Sequence, residues 1–132
     1  MRYQLCISET ASADLEALWE QDPAAGALIE AIFDELEVDQ TLLDALTAHG
    51  FVNRDDPQFD VQKWVAMWRR GINLWRLKPF DIDGRSVPYR VIYAYVPAKR
   101  RYVVLGIVPR EFDTYEPQNE RAQRILAEYS EL

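Results

Sequence analysis

Four cations and a tyrosine are the residues of this chain whose types and spacing could do chemistry. Arg76 and Lys78 stand in "NLWRLKP", Arg90 in "SVPYRVIYAY", Arg110 directly after "YVVLGIVP", and Tyr115 five residues further on. Residues 86–95 alternate as a half-buried strand does, with Tyr89, Val91, Tyr93 and Tyr95 on one face. Arg90 shares the other face with Ile92, Ala94 and Val96. A guanidinium among apolar side chains is costly unless it is paired or reaches a site. Arg90 therefore either closes a structural ion pair or points to where a negative ligand arrives. Arginine and lysine can hold phosphates and stabilise a phosphorane-like transition state, and an aromatic ring can stack an unpaired base. Cleavage of RNA by its own 2′-hydroxyl needs those elements and a proton acceptor. A lysine serves if neighbouring cations lower its pKa.

Other chemistries find less support. No Cys/His cluster has zinc spacing, no glycine-rich stretch matches a phosphate loop, and the serines lack a histidine partner for a triad. The single histidine, His49, falls in the last turn of an expected helix, where a solvated side chain suits the helix dipole. Asp81 and Asp83 precede Gly84 and read as turn residues rather than a metal pair. Cys6, between Leu5 and Ile7, reads as an inert core thiol. No metal and no cofactor is expected.

The chain of 132 residues suits a single domain, 1–132, with one hydrophobic core. Apolar residues make up 48% and charged residues 28%, a globular composition. No apolar run approaches the ~20 residues needed to span a bilayer. With one cysteine and an N-terminus that turns polar early, a cytoplasmic location is expected. The net charge of −7 is unevenly spread. Residues 1–60 hold 2 Lys/Arg and 14 Asp/Glu, residues 61–110 hold 11 and 2, and residues 111–132 hold 2 and 6. The basic middle segment fits a polyanion partner; the bland reading is that basic and acidic segments neutralise each other within the fold.

The elements that must position these residues follow from periodicity. Strands are expected near 2–8, 72–78, 88–96 and 102–108. The last is apolar on both faces and so belongs inside the sheet. Helices are expected in "SETASADLEALWEQD" with Thr10 or Ser12 as cap, in "DPAAGALIEAIFDELE" with Asp22 as cap and Pro23 at its first position, in "DQTLLDALTAHG" ending at Gly50, in "VQKWVAMWRRG" and in "NERAQRILAEYSEL". "FVNRDDPQFD" reads as a polar connection, and Asp83-Gly84 as a hairpin turn. The fold class is α+β: a four-stranded, mainly antiparallel sheet with N-terminal helices packed on one face and a C-terminal helix. A sheet covered on one side leaves the other free for Arg76, Lys78 and Arg90, with Arg110 arriving at the strand end.

The order and spacing of "NLWRLKP…VPYRVIYAY…YVVLGIVPREFDTY", followed by "RAQRIL", resemble the RelE/ParE superfamily of bacterial toxin–antitoxin toxins. The match covers residues 72–130 well; the first strand and the helices after it match in order only. The resemblance implies a small antiparallel sheet with two helices before its meander. It also implies a cognate antitoxin and, for RelE-like members, mRNA cleavage on the ribosome. By position Arg76, Lys78, Arg90 and Arg110 match the family's basic residues, and Tyr115 its stacking tyrosine. This chain is longer and more acidic than the family's usual members, and it lacks a histidine near its C-terminus. Other branches inhibit DNA gyrase. A non-catalytic, partner-binding member is a further reading, because fold likeness does not choose among functions.

Overall fold

The computed structural model describes residues 2–52, 58–110 and 119–132. Its elements are β1 (Gln4–Ile7), α1 (Glu9–Gln21), α2 (Pro23–Val38), α3 (Gln40–Asp44), β2 (Phe59–Lys63), α4 (Val65–Trp68), β3 (Leu74–Pro79), β4 (Tyr89–Val96), β5 (Arg101–Pro109) and α5 (Glu120–Ser130). The strands form one sheet in the order β1-β5-β4-β3-β2. β2, β3, β4 and β5 pair antiparallel, and β1 lies parallel to β5.

The helix caps account for much of the N-terminal half. Ser8 caps α1 and accepts from the Ala11 N–H at 3.1 Å, displacing the expected Thr10 and Ser12. The Thr10 hydroxyl is instead bonded to Glu128 of α5. Asp22 caps α2, with Pro23 in its first turn, as the sequence suggests. Gly26 lets α2 approach α1: a Cβ there would lie 3.0–3.2 Å from Trp19.

Two features differ from the expectation. The sheet has a fifth strand, β2, within the stretches read as a polar connection and a helix. Val61, Trp64, Val65 and Trp68 do recur at helical spacing, but Phe59 to Lys63 also alternate with period 2. Pairing with β3 decides for the strand, which leaves only the short α4 as helix. The second correction concerns coverage. Trp75, Leu77, Val91, Tyr93, Tyr102 and Val104 pack against α1, α2 and α3 on one face. The opposite face carries Leu74, Ile92, Ala94, Val103, Leu105 and Val108, and it too is covered, by Trp64 and Met67 and by Ala122 and Ile125 of α5. Every member of the expected buried set, Trp75, Leu77, Val91, Tyr93, Val103 and Leu105, is buried. Among the described residues, no helix is long and apolar enough to cross a membrane.

Candidate nucleic-acid interface

Strand alternation brings Arg76, Lys78 and Arg90 to the face opposite α2. Arg76 pairs with Ile92 and Leu77 with Val91, so Lys78 and Arg90 are the next residues out on their strands. Arg90 pairs with Val108 of β5, and the Arg110 N–H donates to the Pro88 carbonyl at 2.9 Å. Arg76, Lys78 and Arg90 thus share one sheet face, with Arg76 at mid-strand, Lys78 and Arg90 toward one end, and Arg110 at that end just beyond β5. Tyr115 lies outside the described residues.

Their surroundings differ. Arg110 is exposed. Lys78 Nζ is 3.7 Å from Asp60 Oδ2 and 5.6 Å from the centre of the Phe80 ring. It therefore faces a carboxylate and an aromatic ring. Arg76 Nη2 donates to Gln62 Oε1 at 2.6 Å. Asp60 and Gln62 both belong to β2, directly across from Lys78 and Arg76. Sequence reasoning missed them because it placed Asp60 in a polar connection and Gln62 in a helix. The usable signal was the alternation of Phe59, Val61 and Lys63 with Asp60 and Gln62. Among the described residues Asp60 Oδ1 is buried and accepts no hydrogen bond, so this carboxylate has acceptor capacity left over.

Arg90 is the most enclosed of the set, at 5% exposure. Its Nη1 donates to the carbonyls of Val87, at 3.0 Å, and Tyr89, at 2.9 Å. The cause lies in the neighbouring strand. The Val87 N–H donates to the Pro79 carbonyl, so Val87 turns its polar groups toward β3, and alternation turns those of Tyr89 the same way. Pro79 has no N–H to return. The guanidinium fills the place of the missing donor, with the strength of a charged hydrogen bond. "WRLKP" thus contains, in its proline, a reason for burying the arginine of "PYRV".

A second polar device braces the same end. β1 stops at Ile7, opposite Val104, leaving the rest of that edge of β5 without a partner strand. Asp14 of α1 takes its place: Oδ2 accepts from the Ile107 N–H at 3.1 Å and from Arg124 of α5 at 3.0 Å. Gly106 makes room, since a Cβ there would meet Arg124 Nη2 at 3.1 Å. His49, expected at a helix terminus, lies beyond α3, and its Nδ1 accepts from the Lys63 N–H at 3.0 Å, closing the β2 edge.

No protein-family model matches the chain, and no curated protein matches it. Among solved structures, the chain is similar to one in the archaeal RelE–RelB complex from Pyrococcus horikoshii OT3, at 20% identity and a TM-score of 0.46. The likeness covers 83% of this chain and 97% of that one.

Proposed function

We propose that this chain is a RelE-like toxin of a type II toxin–antitoxin pair, an mRNA endoribonuclease held in check by a cognate antitoxin. One observation carries the reading: of the residues matched by the sequence resemblance, Arg76, Lys78 and Arg90 share one sheet face, and Arg110 reaches the same end as Lys78 and Arg90. In the reaction the 2′-oxygen attacks the adjacent phosphorus to form a 2′,3′-cyclic phosphate, and the 5′-oxygen leaves and takes a proton from water. Arg110, the exposed cation, stabilises the charge on the phosphate. Lys78 and Arg76 hold the strand, and the Lys78–Asp60 pair takes the 2′ proton. Tyr115 stacks a neighbouring base. Arg90 holds the β4 backbone in place, and it contacts the phosphate only if its fork turns away from the Val87 and Tyr89 carbonyls.

The test is primer extension on a message translated with wild-type or variant protein. The wild type cuts. Arg110→Ala lowers the rate by ~10²–10³, as loss of a transition-state donor does elsewhere. Tyr115→Ala lowers it less, since one stacked base is worth about 1–3 kcal/mol. A message left intact by the wild type, with and without ribosomes, ends the nuclease reading. A non-catalytic, partner-binding member of the superfamily then stands, favoured by the commitment of Arg90, Arg76 and Lys78 to protein acceptors. Arrest of DNA replication ahead of protein synthesis on induction points instead to the gyrase branch.

A further inference from the structure

A second group of cations lies at the opposite end of the sheet. Leu74 pairs with Ala94, Lys63 with Trp75 and Val96 with Arg101, so the end of β2, the start of β3 and the β4–β5 turn come together there. They bring up Lys63, Arg69, Arg70, Lys99, Arg100 and Arg101, six of the 11 Lys/Arg of residues 61–110. Arg69, Arg70, Lys99 and Arg100 are exposed, and Lys63 and Arg101 half-buried. The ion pairs among the described residues are Lys78–Asp60 and Arg124–Asp14, so none of the six has one among those residues.

Arg100 adds an independent observation. Among the described residues it is the one non-glycine with positive φ, at 52°. Glycine or asparagine adopts that conformation at lower cost. The turn uses the backbone of Arg100, whose N–H donates to Pro97 and whose carbonyl accepts from the Gln4 N–H, both at 3.1 Å. None of these bonds involves the guanidinium. The chain keeps a charge at a position where another residue type would fold more easily.

We propose that this turn end is a docking surface for the phosphate backbone of RNA, separate from the hairpin end and independent of whether that end cuts. Four of its six cations are arginines, whose planar forks match phosphate oxygens. Trp68 lies beside them, with Lys63 Nζ 4.4 Å from its ring centre, a pairing of aromatic and cation that suits single strands. A protein partner would want an apolar centre. Arg69-Arg70-Gly71 and Pro97-Ala98-Lys99-Arg100 offer little of one.

The experiment is fluorescence anisotropy of labelled oligouridine with the full chain, titrated between about 50 and 200 mM salt. Wild-type affinity should fall steeply with salt. The triple reversal Arg69→Glu, Arg70→Glu, Arg100→Glu should weaken binding roughly tenfold or more and flatten the log–log salt slope by about 2, as loss of three phosphate contacts to a single strand requires. The neutral pair Arg69→Gln, Arg70→Gln, at exposed side chains, gives the same direction should the reversal fold poorly. Arg100→Gly should weaken binding while its Tm holds or rises. Arg85→Ala, at an exposed cation of the hairpin turn that belongs to neither site, should bind as wild type does, which separates this surface from a general effect of charge. Retained affinity and slope in the neutral pair would overturn the proposal. So would binding of polyglutamate or anionic vesicles as tight as binding of RNA.

Discussion

The two ends of the sheet carry nearly the same cationic inventory and use it differently. Toward the hairpin end, Arg76 bonds Gln62, Lys78 pairs with Asp60, and Arg90 serves two carbonyls. At the turn end, Arg69, Arg70, Lys99 and Arg100 stand in water. The difference arises from what the neighbouring strand presents. β2 sets Asp60 and Gln62 across from β3, and Pro79 leaves β4 short of a donor. Connections meeting at the other end have no strand across from them, and among the described residues their cations form no ion pair. A cation's position in the sequence therefore says less about its availability than the acceptors facing it do. Cations with acceptors in the protein hold the fold, and the solvated ones are free to exchange water and counterions for a ligand.

The sharpest way to break this contrast is Arg90→Ala. If the guanidinium is a strut, its loss leaves two carbonyls without their charged donor and costs about 3 kcal/mol. Arg90→Lys should recover only part, because a point charge cannot serve both acceptors as a fork does. Urea unfolding followed by circular dichroism reads both. Arg69→Gln with Arg70→Gln, measured alongside, should stay within about 0.5 kcal/mol of wild type. Full stability in Arg90→Ala with loss of cleavage would instead make Arg90 a phosphate ligand.

Alkaline titration probes the support beneath the turn end. Tyr3, Tyr95 and Tyr102 cluster there, with ring centres 5.2–5.7 Å apart. Burial, above all, pushes Tyr102 up to about 12, with Asp44 and the neighbouring tyrosines adding and a Thr47 hydrogen bond opposing. Tyr95 is raised by its hydrogen bond to Tyr3 first and then by burial, and Tyr93 by burial and then Tyr102. Unfolded tyrosines ionise near 10. A raised folded pKa means the native state keeps protons that the unfolded state releases. The contribution is complete below about pH 10 and is lost as pH rises through about 12. Unfolding midpoints should fall across that window, and Tyr102→Phe should make the fall shallower. An equally steep fall in Tyr102→Phe would place the sensitive group elsewhere.

Much of this contrast was legible before the structure, though not its meaning. Period-2 alternation put Val91 and Tyr93 against the helices and Arg90, Ile92 and Ala94 on the other face. Side-chain direction in a strand is local, so the pattern carries it. Hidden from the sequence was what covers that face. α5 could pack on either side by its own stripe, and Ala122 and Ile125 settle on the Arg90 side through contacts with β4 and β5. β2 was hidden because Val61, Trp64 and Trp68 fit a helical stripe while Phe59 to Lys63 fit a strand. Only the partner, β3, resolves the two. The four cations of the candidate site were found by type and spacing. Their acceptors, Asp60 and Gln62, came with the misread strand and were missed together.

The smallest expected effect tests the hairpin end at its most exposed pair. Lys78 and Asp60 have side chains 34% and 15% exposed, and their charged atoms are 3.7 Å apart. Partial solvent access and the loose distance put the coupling near 0.5–1 kcal/mol, the upper range for exposed pairs. A double-mutant cycle with Lys78→Met and Asp60→Asn isolates it. Lys78→Met alone should cost more than the coupling, since Asp60, with Oδ1 already buried and unbonded, would keep its charge without a partner. Adding Asp60→Asn should return most of that loss. The same pair of variants reads the proposed chemistry, because cleavage should fall in both singles and stay low in the double, whereas stability recovers. A double mutant that regains stability and cleavage together would make Lys78–Asp60 structural only, and the proton acceptor would have to be sought elsewhere on the face.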